Sequence, residues 1–287
     1  VSDEAPKSMA PEMISGWRDY VVPERRWPRI RPFMYHFFET CRRDGGSVMD
    51  AAAGMGVEYY AMLHDGFDMS ANEVHDGLRE CGERYRRDMG FGTAYRPYRH
   101  PWLKMGESGL AGRFCGLFAL GNSLRMLDST EAQQEALAGF GGMLRGGGTV
   151  MVDERNYGVI RDNAERINNL GDSMDDSRLF GEVSDLVHGA QNPMYHGSNM
   201  GSIPYRADPD GRVTFLYYDC RGDVCTLREA EERRIQDWTF LHEARMEAML
   251  EHAGFADVRG YADYCLDGRS ELDMEAAAMH VFVARKP

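Results

Sequence analysis

Apolar and polar positions along this chain fall into two alternating rhythms. Short apolar runs of strand length stand at Ser47 to Asp50, Phe67 to Ala71, Gly116 to Leu120 and Thr149 to Asp153, and again at Ala256 to Tyr261 and His280 to Ala284. Between them lie stretches of helical composition or spacing: the aromatic run through Phe33, Tyr35, Phe37 and Phe38, then Val57 to His64 and Val74 to Arg87. Asp128 followed by Glu131 has the spacing of an N-terminal cap and opens a further helix that runs to about Leu144. Near the C-terminus Met246, Met249, Leu250 and Ala253 repeat at i, i+3, i+4 and i+7, closed by Gly254. Strands that alternate with helices predict a parallel sheet covered on both faces.

The rhythm breaks once. Residues 158–235 are rich in polar, Gly and Asp positions, with one strand-like run at Arg212 to Tyr218, and Phe91 to Leu110 reads as loop with at most a short strand. The expected organisation is an N-terminal arm and first helix over 1–46, an α/β core over 47–157, an inserted lid over 158–235, and the rest of the core over 236–287. No internal repeat is visible.

Composition narrows the partners. Forty-six acidic residues against 33 basic ones give the 287-residue chain a formal charge of −13, which disfavours nucleic acid and anionic membrane surfaces, since both reward clustered Lys and Arg. Hydrophobic residues at 43% suit a folded globular protein, and no apolar run approaches the length of a membrane span. Cys41, Cys81, Cys115, Cys220, Cys225 and Cys265 show neither C-x-x-C nor paired His spacing, so no metal site and no disulfide framework is expected. Reduced thiols and the absence of a leader pattern after Val1 make the cytoplasm the expected location. A small molecule is the expected partner, with assembly into a homo-oligomer left open.

Ligands of an open parallel sheet bind beyond the carboxyl ends of its strands, so the residues after each strand matter most. Those are Asp50 to Gly56, Asn72-Glu73, Gly121-Asn122-Ser123 and Asp153 to Tyr157. Gly54 and Gly56 would admit a ligand close to the backbone, and the helix after them presents free N–H groups. The same glycines also suit a tight strand-to-helix turn with no ligand.

Taken together these stretches resemble the glycine and glycine/sarcosine N-methyltransferase family. Asp50-Ala51-Ala52-Ala53-Gly54-Met55-Gly56 is similar to its D-x-A-x-G-T-G turn, Leu120-Gly121-Asn122-Ser123 to L-G-N-S-F, and Val152 to Tyr157 to I-D-x-R-N-Y. Trp17 to Val21 resembles W-x-x-Y-I, Ala253-Gly254-Phe255 resembles V-G-F, and Tyr261-Ala262-Asp263-Tyr264 resembles Y-G-D-F. The resemblance implies a doubly wound α/β fold with a mostly parallel seven-stranded sheet and an inserted lid. It implies S-adenosylmethionine as cofactor, held by Asp50, Ala51, Gly54, Gly56, Asn72, Glu73, Trp102 and Leu120. The acceptor would meet Tyr20, Asn122, Arg155, Tyr157 and Tyr195, with Arg155 clamping a carboxylate. The sequence departs from the family at Asn72, where an acid would grip ribose, at Arg99, where an acid would hold the adenine amine, and at Cys115, which replaces an Asp.

The implied reaction is in-line methyl transfer to a neutral amine, which needs alignment more than acid–base power. O-methylation would want a base, for which His100 or His196 are loosely placed. Intramolecular cyclisation, lyase cleavage of the same cofactor, or a non-catalytic binding protein on the same fold are the alternatives.

Overall fold

The computed structural model describes residues 23–127, 129–188, 200–221, 224–235, 243–269 and 271–287. Helix α1 (Pro23–Arg43) buries Pro23, Arg26, Ile30, Phe33, Met34, Phe38 and Cys41, a stripe at helical period. Strand β1 (Ser47–Asp50) runs through the glycine turn into α2 (Val57–His64), followed by β2 (Asp68–Ala71) and α3 (Asp76–Met89), which Gly90 ends in the left-handed conformation. Strand β3 (Phe114–Ala119) is buried at every position, as a strand covered on both faces must be. Helix α4 (Thr130–Met143) starts one residue later than the expected cap implies: the Ser129 side chain accepts from the Ala132 N–H, and Asp128 lies outside the described residues.

After β4 (Leu144–Arg155) the chain leaves the sheet for α5 (Tyr157–Asp162), α6 (Ala164–Gly171), α7 (Asp176–His188) and the strands β5 (Met200–Ala207), β6 (Arg212–Arg221) and β7 (Val224–Arg234). It returns through α8 (Glu243–His252), β8 (Ala256–Ala262), α9 (Glu271–Ala276) and β9 (Met279–Arg285).

The main sheet has the order β2-β1-β3-β4-β9-β8. β2, β1, β3 and β4 are parallel, and β9 runs against both β4 and β8. The described residues thus hold six strands where seven were expected. At the seventh place, outside β2, only a single parallel bridge joins Asn72 and Tyr98, with Tyr98 N–H on the Ala71 carbonyl at 2.8 Å and Glu73 N–H on the Tyr98 carbonyl at 2.9 Å. Pro97 and Pro101 flank that bridge and have no N–H to donate, so the ladder cannot extend.

Two further expectations are corrected. The described residues of the segment after β4 form three helices and a three-stranded antiparallel sheet, not loop with one strand. Cys220 and Cys225 form a disulfide, because the β6–β7 register sets them directly opposite each other. Cys41, Cys81, Cys115 and Cys265 are not disulfide-bonded.

The apolar interior is two clusters, one on each face of the main sheet. Phe140, Leu137, Met246 and Leu250 from α4 and α8 pack on one face. On the other, Phe33, Phe38 and Tyr60 from α1 and α2 run continuously into Ile203, Val213, Phe215 and Tyr217 of the smaller sheet. No helix among the described residues is long and apolar enough to cross a membrane.

Candidate active site

β1 delivers Asp50 to its carboxyl end, fully buried. One carboxylate oxygen accepts from the Ala52 N–H at 3.3 Å, and the other, Oδ2, is buried without a hydrogen-bond partner. Burial first, then the nearby Glu58, holds this carboxyl well above the usual range. α1 sets Arg26 beside it, its Nε 2.6 Å from Glu58 Oε1, both side chains buried.

The glycine turn is tightly engaged by the protein itself. Gly54 has φ 54°, donates its N–H to Glu73 Oε2 at 2.8 Å, and accepts from the Tyr95 hydroxyl at 2.8 Å. Gly56 has φ 80°, and a Cβ there would stand 2.8 Å from the Tyr95 ring. Its need for glycine is thus explained by Tyr95 packing as well as by any ligand. Glu73 uses its other oxygen on the His75 N–H at 2.7 Å. Asn72 spends its amide on the backbone, accepting from the His100 N–H at 3.0 Å and donating to the His100 carbonyl at 3.1 Å and the Ala51 carbonyl at 3.4 Å. Trp102 also donates to the Ala51 carbonyl, at 2.8 Å. Asn72 and Trp102 therefore fix the turn, while Leu120 is buried at the end of β3. Arg99 is exposed, 4.0 Å from the exposed Asp76.

At the next strand ends, Asp153 organises the backbone. Its carboxylate, wholly buried, accepts from the Gly121 N–H at 3.0 Å, the Asn122 N–H at 2.7 Å and the Tyr264 hydroxyl. Burial raises its pKa and those three bonds oppose the rise. They hold Asn122 at φ 61°, where its side chain accepts from the Arg155 N–H at 3.0 Å and donates to the Tyr157 hydroxyl at 2.7 Å. Asn122, Arg155 and Tyr157 are thus brought together; Tyr20 and Tyr195 lie outside the described residues.

Arg155 is 9% exposed, donates to Ser202 Oγ at 3.2 Å, and lies 5.2 Å above the centre of the Phe215 ring. The neighbouring charges pair off without it. Glu154 bonds Arg125 at 2.8 Å, and Glu231 bonds Arg233 at 2.7 Å. No carboxylate among the described residues lies within ion-pair reach of Arg155, which excludes the structural pair with Asp153 or Glu154. Arg233 faces the same Phe215 ring at 6.0 Å and touches Met126 Sδ at 3.6 Å, so the smaller sheet contacts the main sheet at its strand ends.

Sequence reasoning missed Arg26, Glu58, Tyr95 and Phe215. An arginine in the apolar stripe of α1 was the available signal for Arg26; nothing local marks Phe215. No group of three or more His, Cys, Asp or Glu among the described residues could hold a metal ion.

The parallel sheet with its one reversed strand, and the glycine turn at the end of β1, are the architecture of the class I methyltransferases. A methyltransferase from Clostridium acetobutylicum described as S-adenosylmethionine-dependent has this fold, with a TM-score of 0.58 at 12% identity over 96% of this chain and 98% of its own. No family model matches the chain. In sequence it resembles the glycine/sarcosine N-methyltransferases: that of Halorhodospira halochloris is 29% identical over 252 residues, 88% of this chain and 80% of that protein. The Aphanothece halophytica enzyme of the same name is 25% identical over 231 residues, 79% and 73% of the two chains.

Proposed function

We propose that this protein transfers a methyl group from S-adenosylmethionine to the nitrogen of a small acceptor that carries one carboxylate, of the glycine and sarcosine kind. One observation carries the acceptor class: among the described residues, no carboxylate pairs with Arg155, while Arg125 and Arg233 beside it each hold one. A mostly buried charged fork of this kind gains from a complementary anion, and a carboxylate matches it with two parallel hydrogen bonds. Asn122 and Tyr157 fix the backbone and side chains around it, and Phe215 keeps water from its face.

The cofactor supplies an electrophilic methyl on a sulfonium. The residues present fit it at one end: the unpartnered Asp50 oxygen can accept from an ammonium, and the first turn of α2, which has no side-chain cap, offers N–H groups to a carboxylate. Glu73 retains lone pairs for a hydroxyl, whereas Asn72 has spent both N–H groups and keeps a single lone pair on its oxygen. The site provides alignment and exclusion of water, and the acceptor enters as the free amine.

The test is a mass-shift assay of glycine, sarcosine and larger amino acids with S-adenosylmethionine. Methylation of at least one amino acid, abolished when its carboxylate is amidated, is expected. Equal turnover of acid and amide would remove the carboxylate clamp.

A further inference from the structure

Between α3 and residues 95–99 lies an open groove of about 610 Å³; apart from Arg99, which stands where the family's acid would hold the adenine amine, the methyl-transfer reading uses none of its lining. Five arginines line it: Arg79, Arg84, Arg87, Arg96 and Arg99. Three carboxylates share the lining, Asp76, Glu80 and Glu83, but Glu83 is bonded by Arg86 and the Tyr95 N–H, and Asp76 by Arg79. Arg87 and Arg96 are exposed and have no ion-pair partner among the described residues. On α3, Arg87 stands three residues after Arg84 and eight after Arg79, so it shares a helix side with each, and Arg96 and Arg99 come from the 95–99 segment. This concentration of guanidinium is unexpected in a chain of formal charge −13.

We infer that this groove is an anion-binding site for a small phosphate-bearing ligand of the pyrophosphate or nucleoside-polyphosphate kind. Planar forks from two walls suit tetrahedral phosphate oxygens. The volume lies in the range of small-molecule sites. Long polyanions are excluded by the acidic remainder of the surface, which would repel them beyond the groove. The groove shares two side chains with the glycine turn. Tyr95, on its wall, holds the Gly54 carbonyl, and Arg79 donates to the Glu73 carbonyl at 2.8 Å. An occupant therefore sits one residue away from the backbone that shapes the cofactor end of the sheet.

The experiment is calorimetric titration of the full chain with inorganic pyrophosphate, then with ATP, at constant ionic strength and against sulfate. Saturable binding of pyrophosphate is expected, with ATP tighter if the nucleoside belongs in the groove and equal if phosphate alone is read. Loss of two arginine contacts in Arg87→Glu/Arg96→Glu should weaken it by about a hundredfold, at roughly tenfold per contact. Both residues are exposed, and an unchanged melting temperature and S-adenosylmethionine affinity would show the variant folded; Arg96→Gln alone serves if it does not fold. No saturable heat, binding matched by sulfate, or an affinity unmoved by the substitutions would each overturn the site. The result is independent of whether the chain methylates an amino acid.

Discussion

A guanidinium withdrawn from water without a counter-ion costs several kcal/mol unless a ligand completes it. Arg155 is 9% exposed and meets no counter-ion among the described residues, so its replacement by Lys separates function from structure. Lysine keeps the charge and loses the fork, and turnover at subsaturating acceptor should fall roughly tenfold to a hundredfold while cofactor affinity and melting temperature stay nearly constant. Steady-state kinetics, calorimetry and a melting curve on one preparation check this; lower stability with turnover intact would leave Arg155 as a mere partner of Ser202. Asp50 gives a pH signature. Its carboxyl is held well above the usual range by burial, and an ammonium ligand favours the ionised form. Below the raised pKa a proton must leave before the ligand binds, so affinity for S-adenosylmethionine should rise with pH through that pKa and level off above it. Asp50→Asn should bind more weakly with that rise removed, measured by titration across pH. That Arg155, Asn122 and Tyr157 stand at or just beyond the carboxyl ends of β3 and β4 was legible in the sequence. Arg26 was not, because its neighbour Glu58 lies on another helix and meets it only through packing.

The elements that sequence could read are those with one strong period. β1 and α2 have the expected bounds, and β3, β4 from Gly148 onward and β9 up to Ala284 are continuous buried runs. β7 was illegible because it is an edge strand, Val-Cys-Thr-Leu-Arg-Glu-Ala-Glu-Glu-Arg-Arg, with polar residues on both faces and hence no alternation. At the seventh place, outside β2, the reading of Phe91 to Leu110 as loop with at most a short strand agrees with the single bridge found there: its prolines forbid a ladder, and the chain is held by Asn72 instead. That staple makes a prediction against the family pattern. Asn72→Asp restores the acid expected there, yet the amide's NH₂ group donates to the carbonyls of Ala51 and His100, and a carboxylate would face both with lone pairs. Loss of these bonds plus the repulsion should cost about 2–3 kcal/mol, and cofactor affinity should not improve. Chemical denaturation and calorimetry on Asn72→Asp decide it, and a tighter, equally stable variant would mean that the side chain turns to the cofactor.

At the scale of the molecule, the insertion after β4 is not an appendage. The cluster that packs Phe33 and Phe38 on one face of the main sheet continues without a break into Ile203, Val213, Phe215 and Tyr217, so the smaller sheet completes a core the main sheet began. A segment sharing a core should unfold with it. Phe215 stands at the junction, 2% exposed, with the guanidinium groups of Arg155 and Arg233 both near its ring. Phe215→Ala should cost about 3–5 kcal/mol, a typical penalty for deleting a buried aromatic ring. Because the core is continuous, calorimetry should show one transition moved down by several degrees, not a second peak split from the first. The same substitution uncovers Arg155 to water, so KM for the acceptor should rise while S-adenosylmethionine binds as before, since Asp50 and the glycine turn lie on other strand ends. Two resolved transitions, only the lower one shifted, would instead define the insertion as a unit that folds alone and merely rests on the sheet.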